Sequence, residues 1–304
     1  MLRLALLAAL STLAAGGGRS AAAPDPVVSA AWLRTHASDP DLVILDLTMS
    51  GTNSPDPYDA GHIPGARQLD FHSIFTGDGA NGKLTMEMVP PDSLRNLLEG
   101  LGVSNSSTIV LYSTSQWVSP VARTYVTLDY LGLGGHTRIL NGGYDAWKAA
   151  GGAVETTAPR VTRGNLHVKA RGDVVTNGAY VLAHIDDRKM TIVDARAPEF
   201  FSGSTRGHSS ARAGRVPGAH NVYYTTLTDS VSNTYLPPDQ ARARFSAAGV
   251  ALDKPVVVYC HIGQTASVDY VQLRRLGVPV RLYDGSFEDW SRHDAYPVAT
   301  GAAH

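Results

Sequence analysis

The sequence predicts an α/β protein built from two copies of one domain, each a mainly parallel sheet with helices on both faces. Three observations lead to this fold class. The same order of segments occurs twice at an offset of about 150 residues, short apolar runs alternate with helical stretches, and a polar segment separates the two copies. The length of 304 residues suits two domains of ordinary size.

The first shared segment is an apolar strand that ends in aspartate, Val43–Asp46 in one copy and Ile192–Asp194 in the other. A turn follows in each copy, at Gly61–Ala66 and at Gly214–Ala219, and both turns contain proline followed by glycine. Both copies therefore begin with the same strand and turn.

The second shared segment is a short apolar run, Thr108–Tyr112 or Pro255–Tyr259, which is typical of a strand buried on both faces. A turn that opens a helix with an inward tryptophan comes last, at Gly142–Trp147 and at Asp284–Trp290. Helices are predicted at Pro91–Leu101, Val121–Leu131, Pro238–Ala248 and Thr265–Leu276.

These repeats predict domains over residues 25–152 and 165–298, joined by a polar linker over residues 153–164. Residues 1–23 have the pattern of a secretory signal peptide, with Arg3 before the apolar run Leu4–Ala15 and small residues after it. The run is too short to span a bilayer, which needs about 20 residues. We therefore expect cleavage, export to the periplasm or the exterior, and no stable membrane association afterwards.

The composition restricts the partners. Lys and Arg total 26 and Asp and Glu total 27, so no uniform field is present to attract nucleic acid, and a small-molecule partner is expected. The single cysteine cannot form an intramolecular disulfide. The histidines show no metal-ligand spacing such as His-Glu-x-x-His, so we predict no metal and no cofactor.

The candidate catalytic residue is that cysteine, Cys260, which follows a strand and precedes a helix beginning near Thr265. Unpaired N–H groups and the dipole at a helix start favour an anion, and therefore the nucleophilic thiolate. Gly263 lets the chain curl so that a cradle of main-chain N–H groups faces the sulfur, supplied by His261, Ile262, Gly263, Gln264 and Thr265. A lone cysteine is also often a small buried apolar residue, and position alone leaves both interpretations open.

The first copy carries Ser113 at the position that matches Cys260. This difference predicts that only the second copy performs chemistry.

Taken together, the Gly-x-x-Pro-Gly-Ala turns, the Asp-Ala-Arg at 194–196, the loop at 260–266 and the Gly-Ser-Phe-Glu-Asp-Trp at 285–290 resemble tandem rhodanese-type sulfurtransferases, which use thiosulfate or 3-mercaptopyruvate. The resemblance covers essentially the whole mature chain. It implies an inactive amino-terminal domain, an active carboxyl-terminal domain and a substrate pocket at their interface.

The resemblance also implies a double displacement in which Cys260 takes sulfur from a donor and passes it, as a persulfide, to cyanide or a thiol. Arg196 resembles the family arginine that holds the anionic end of the donor, and a surface salt bridge is its alternative role. Asp194 is expected to support the loop rather than to react. His261 either adds positive charge when protonated or contributes only its N–H group.

The donor is less well defined. Thiosulfate-specific relatives tend to have cationic residues in the loop, and mercaptopyruvate-specific ones tend to have Gly-Ser at its second and third positions. This chain has His261 and Ile262 there, so neither pattern fits. The second substrate arginine of the mercaptopyruvate enzymes is also missing after Arg196, although Arg206 or Arg212 could replace it. Thiosulfate is therefore the expected donor, with 3-mercaptopyruvate and a non-catalytic sulfur carrier as alternatives. A cysteine phosphatase is disfavoured because its phosphate-binding arginine, six residues after the cysteine, is Ala266 here.

Overall fold

The structure, a computed structural model, describes residues 24–49 and 56–301. The predicted signal peptide, residues 1–23, lies outside the described residues. Within the described part of the chain, no helix combines the length and the apolar character that crossing a bilayer requires.

The first domain alternates strands and helices. In chain order its elements are β1 (Val27–Val28), α1 (Ala30–His36), β2 (Leu42–Thr48), α2 (Pro57–Ala60), β3 (Arg67–Asp70), a 3₁₀ turn (Phe71–Ile74), β4 (Phe75–Thr76), β5 (Glu87–Met88), α3 (Pro91–Gly100), β6 (Thr108–Tyr112), α4 (Val118–Tyr130), a 3₁₀ turn (Gly134–His136), β7 (Thr137–Leu140) and α5 (Gly143–Ala149).

The second domain repeats this order. Its elements are β8 (Val175–Thr176), α6 (Gly178–His184), β9 (Thr191–Asp194), α7 (Pro198–Ser202), β10 (His220–Asn221), a 3₁₀ turn (Tyr224–Leu227), β11 (Thr228–Asp229), β12 (Thr234–Tyr235), α8 (Pro238–Ala247), β13 (Val256–Tyr259), α9 (Ala266–Arg275), β14 (Val280–Tyr283) and α10 (Ser286–Arg292).

Each domain contains one five-stranded sheet, and every strand pair in both sheets is parallel. The strand orders are β1-β7-β6-β2-β3 and β8-β14-β13-β9-β10, so the two sheets have the same topology. The predicted fold class is confirmed. In each domain a short antiparallel pair, β4–β5 or β11–β12, lies apart from the main sheet.

The predicted helices occur close to their expected bounds. The largest difference is at α4, which begins at Val118, three residues before the predicted start at Val121. Proline is poorly tolerated inside a helix, and the observed helix includes Pro120. A proline in the first turn is tolerated, however, because the N–H that it lacks has no intrahelical acceptor there.

The two domains meet where α4 packs against α9. One apolar core includes Tyr125 and Val126 of α4 together with Val271 of α9, and the Tyr270 hydroxyl donates to Asp129 Oδ2 at 2.7 Å. Since α4 and α9 follow the corresponding strands β6 and β13, their contact brings the start of α4 beside the loop that carries Cys260.

Candidate active site

Cys260 lies immediately after β13, the middle strand of the second sheet, between β9 and β14. Side chains alternate along a strand. Val258 and Cys260 therefore face the layer that contains α9, whereas Val257 and Tyr259 face the opposite layer. The cysteine is only 1% exposed, so the thiol lies at the floor of its loop rather than on the surface.

The loop after Cys260 leaves a run of main-chain donors unused. Within residues 24–49 and 56–301, the N–H groups of residues 261–266 have no protein hydrogen-bond acceptor. Buried N–H groups normally find a partner, and six consecutive donors without one are unusual. The arrangement is that of an anion site at a helix start.

Hydrogen bonds from the first residues of α10 hold the start of the loop. The N–H of Cys260 donates to Ser286 Oγ at 3.1 Å, and the Cys260 carbonyl accepts from the Phe287 N–H at 3.0 Å. The His261 carbonyl accepts from the Glu288 N–H at 2.9 Å. These bonds fix the first two loop residues and use none of the N–H groups that follow.

The first domain also holds this loop, through Arg123 of α4. This side chain is fully buried, Nη1 donates to the Gly263 carbonyl at 3.2 Å and Nη2 donates to Asp284 Oδ1 at 2.6 Å. Nearby, Gln264 Nε2 donates to Ser119 Oγ at 3.1 Å. Sequence reasoning missed Arg123. A signal was present, because an arginine inside a largely apolar helix is rarely buried without a partner and therefore indicates a buried acceptor.

Gly263 is required at its position for two reasons. Its φ is +81°, a region that side chains disfavour. A Cβ there would also overlap the Asp284 carbonyl oxygen and lie 3.0 Å from Arg123 Nη1. The loop can therefore curl only where glycine allows the backbone to approach these two groups.

Residues 82–88 of the first domain lie against α10. The Met88 N–H donates to Asp284 Oδ2 at 2.8 Å, and the Thr85 N–H donates to Glu288 Oε2 at 2.9 Å. Arg292 Nη1 donates to the carbonyls of Gly82 and Lys83 at 3.0 and 2.8 Å. The first domain thus contacts both Gly263 in the Cys260 loop and the helix that supports this loop.

Arg196 does not have the position that sequence reasoning gave it. Its side chain is 1% exposed, Nε and Nη2 donate to the Asp194 carboxylate at 2.6 to 3.1 Å, and Nη2 also donates to the Gly214 carbonyl at 2.7 Å. The guanidinium carbon lies 4.0 Å from the centre of the Phe287 ring. The expectation that Arg196 binds the donor is corrected: it is a buried structural group, and neither a substrate clamp nor a surface salt bridge.

Asp194 supports the loop by way of the preceding strand. Besides pairing with Arg196, its Oδ2 accepts from the Tyr259 hydroxyl at 2.6 Å, and that hydroxyl accepts from the Val216 N–H at 3.1 Å. This network joins the end of β9 to the residue before Cys260.

His261 contributes no positive charge at neutral pH. Burial, followed by the nearby Arg196 charge, lowers the pKa of its imidazole to about 4. The ring packs edge-on against Phe200, with 4.6 Å between ring centres, and lies next to Gly207. Of the two roles considered for His261, the added positive charge is wrong.

The two alternative arginines differ in their surroundings. Arg212 is engaged with the end of α10, where it donates to the carbonyls of Trp290, Ser291 and His293. Arg206 is exposed and has one described hydrogen bond, from Nη1 to the Ser210 carbonyl at 2.7 Å. Since Gly207 lies next to the His261 ring, Arg206 is the better candidate for a cation near the loop.

The matching loop of the first domain forms no comparable donor run. Ser113 Oγ donates to the Leu47 carbonyl at 2.9 Å and accepts from the Ser115 N–H at 3.1 Å. The Thr114 N–H donates to Asp46 Oδ1 at 2.9 Å, and the Gln116 N–H donates to the Ser113 carbonyl at 3.4 Å. The N–H groups of residues 114–116 therefore have acceptors, and this loop has a hydroxyl where the other has a thiol.

Across the described ranges 24–49 and 56–301, no group of three or more His, Cys, Asp or Glu side chains could hold a metal ion.

Comparison with known proteins agrees with this geometry. The family model described as "Rhodanese-like domain" matches residues 29–150 and 178–293. "Sulfur carrier protein TtuD" of Thermus thermophilus is 30% identical over 91% of this chain and 98% of its own length. "Thiosulfate sulfurtransferase" of Corynebacterium glutamicum is 30% identical, with 91% of each chain covered.

A solved structure is similar over the whole fold. The crystal structure of SseA from Escherichia coli, described as a 3-mercaptopyruvate sulfotransferase with the rhodanese fold, superposes with a TM-score of 0.74 at 28% identity, covering 86% of this chain and 98% of that one.

The fold is a parallel α/β domain that occurs twice, and the second copy carries a cysteine loop at the place where the two domains meet. Together with the relatives, these features define a two-domain sulfurtransferase of the thiosulfate/3-mercaptopyruvate type. The chain belongs to the rhodanese family, as a tandem member.

Proposed function

We propose that this protein is a thiosulfate sulfurtransferase that carries sulfane sulfur as a persulfide on Cys260 and delivers it to cyanide or a thiol. The observation that carries the proposal is the loop in which Cys260 precedes six main-chain N–H groups that have no acceptor among the described residues. A hydrogen bond to a charged group contributes about 1.5 to 3 kcal/mol. A few such bonds would offset much of the cost of holding a persulfide anion in a buried site.

The reaction balances without a metal or a redox partner. The Cys260 thiolate attacks the outer sulfur of thiosulfate, an S–S bond to the cysteine forms, the S–S bond within thiosulfate breaks, and sulfite leaves with the bonding electron pair. Cyanide or a thiolate then attacks the outer sulfur of the persulfide. The Cys260 thiolate leaves and is ready for another cycle.

Two observations favour a small anionic donor. Cys260 is 1% exposed, which favours a slender reactant such as thiosulfate over a bulky one. Within the described residues, the loop after Cys260 offers main-chain N–H groups without a protein acceptor, and Arg206 precedes Gly207, which borders the His261 ring. We propose that residues 261–265 bind the persulfide and that Arg206, in place of Arg196, attracts the donor anion.

A second candidate donor is 3-mercaptopyruvate, which the similarity to SseA favours. A third possibility, suggested by the relative named a sulfur carrier, is that Cys260 loads sulfur once and transfers it only to a protein partner.

Mass spectrometry and turnover distinguish the three proposals. The proposed enzyme gains one sulfur atom on the Cys260 peptide after thiosulfate and then releases thiocyanate repeatedly with cyanide. A gain after 3-mercaptopyruvate alone identifies the second donor, and a gain that is never turned over identifies a carrier. Cys260→Ser should lose both signals, and full sulfur transfer by that variant would contradict the proposed site.

We also propose that the protein is exported, which rests on the residues 1–23 pattern alone. The amino-terminal sequence of protein recovered outside the cytoplasm tests this. A mature chain that still begins at Met1 inside the cell would contradict it.

A further inference from the structure

A buried carboxylic acid lies in the same layer as the Cys260 side chain. Asp269 of α9 is 0% exposed, and neither carboxylate oxygen has a hydrogen-bond partner within the described residues. An unpaired, ionised carboxylate in such a place carries a large desolvation cost, and a buried group usually avoids this cost by remaining neutral. Neither the fold nor the sulfur transfer described above uses this residue.

Strand alternation turns the Cys260 side chain toward α9, the helix that carries Asp269. Eight consecutive residues of α9, 266–273, are buried. The carboxyl group therefore shares a closed layer with the thiol.

The ionisable groups that act on Asp269 are acidic. Burial raises the pKa of Asp269 well above its usual value, and the charge of Cys260, which follows β13, raises it further. The main-chain N–H of Asp269 itself lowers this pKa, and the charge of Asp194 on β9 raises it. Asp269 in turn acts on Tyr235 of β12, whose hydroxyl is also buried and has no partner in the described part of the chain. Two acids that share a closed layer of low dielectric do not both ionise readily, because like charges oppose each other there.

We propose that Asp269 is a positioning residue that keeps a proton in this layer, so that Cys260 and Asp269 together carry one negative charge, located on the sulfur. When the thiol ionises beside the protonated Asp269, the S–H electron pair stays on sulfur and the proton passes to solvent. During sulfur transfer Asp269 keeps its proton, and no oxidant or reductant is needed. The benefit to catalysis rests on the proposed function, whereas the charge of the pair does not.

Infrared spectroscopy tests the charge of the pair without any turnover. The carbonyl stretch of a protonated carboxyl group is resolved from the stretches of carboxylates. We expect the wild-type protein to show such a band at pH 8 and Asp269→Asn to lack it. Asp253→Asn, which alters an exposed carboxylate, should retain the band.

The coupling to sulfur is tested by titrating the same band in Cys260→Ser, which removes the negative charge. The midpoint should fall by about one pH unit, because the lost charge no longer favours the protonated form. An unchanged midpoint, or the absence of any Asp269-dependent band at pH 8, would overturn the proposal. The Cys260→Ser comparison remains available if Asp269→Asn does not fold.

The consequence for catalysis is read from a pH profile. If the protein transfers sulfur, its rate should decline at alkaline pH with the midpoint of the infrared band, and Asp269→Asn should lose that decline. The predicted band without sulfur transfer would leave the charge inference standing and reject only the proposed function. Transfer with identical pH profiles in both proteins would reject the catalytic role of Asp269.

Discussion

Arg123 of the first domain donates from Nη1 to the carbonyl of Gly263 in the second, across 3.2 Å. The same guanidinium pairs with Asp284 at 2.6 Å, on the turn that precedes α10. The domain without the cysteine therefore shapes the loop of the domain that has it. This contact gives the first domain a physical role in holding the Cys260 loop.

Replacing Arg123 should damage both stability and loop geometry. Arg123→Met leaves Asp284 without this partner, and breaking a buried ion pair costs about 3 to 5 kcal/mol. We expect that loss in denaturant unfolding, together with a fall in kcat of at least about tenfold. Arg123→Lys keeps the charge but cannot form the same planar fork of hydrogen bonds. Its stability and kcat should therefore lie between those of the wild type and those of Arg123→Met.

The matched control is Arg242→Met, which removes an exposed arginine from α8. It should leave both quantities unchanged. An Arg123→Met variant that is destabilised but retains the wild-type kcat would show that the contact is purely structural.

Two glycine-to-alanine substitutions separate the cost of a positive φ from the steric overlap of an added Cβ. Gly263 and Gly277 both have positive φ, +81° and +73°, but a Cβ meets neighbouring atoms only at Gly263. Gly277→Ala should cost about 1 to 2 kcal/mol of stability and leave activity intact. Gly263→Ala should cost more and should lower sulfur transfer at least about tenfold, because the loop must move. Equal effects of the two substitutions on activity would contradict this account of the loop.

The roles of Arg196 and Arg206 can be separated by kinetics. Arg196→Ala should lower the free energy of unfolding by about 3 to 5 kcal/mol, since Asp194 loses its buried partner. At a temperature where the variant stays folded, KM for thiosulfate should be close to that of the wild type. Arg206→Ala should leave stability unchanged and raise KM about tenfold. The opposite pattern would restore Arg196 as the donor-binding residue.

Asp46, the counterpart of Asp194, predicts a pH dependence of stability. Thr48 stands where the second domain has Arg196, Asp46 Oδ2 has no described partner, and burial raises the pKa of Asp46 to about 7. The native state therefore keeps a proton that the unfolded chain releases near pH 4. The stability contributed by this proton is present below pH 4 and is lost as pH rises toward 7.

Denaturant unfolding between pH 4 and pH 7 measures this effect. The wild type should lose up to about 1.4 kcal/mol per pH unit through Asp46, superimposed on its other titrations. Asp46→Asn should remove this component of the slope, whereas Asp253→Asn should retain it. Parallel slopes for wild type and Asp46→Asn would show that Asp46 is ionised in the folded protein.

Local patterns predicted much of the fold. The apolar runs that became β6 and β13 are short and bounded by turn residues, so their extent can be read directly from the sequence. The position of Cys260 between a strand and a helix follows from the same pattern. Arg123 could not be paired with Gly263 in this way, because the two residues are 140 positions apart and belong to different domains.

Two further sites show where local interpretation stops. Arg196 lies two residues after Asp194, and only the folded chain shows that its guanidinium turns back onto that carboxylate and the Gly214 carbonyl. Asp269 looks like an ordinary polar helix residue in sequence. Its burial results from placing α9 between the second sheet and α4.

The sequence by itself determined the repeated parallel α/β domains, the family, and the place of the single cysteine after a central strand. These features depend on periodicity, turn chemistry and residue spacing, which act over short stretches of chain. The packing of α4 against α9 decided which groups surround that cysteine, which arginine is buried, and which carboxyl shares its layer. Burial and long-range pairing depend on how distant segments meet, and short-range patterns do not specify that.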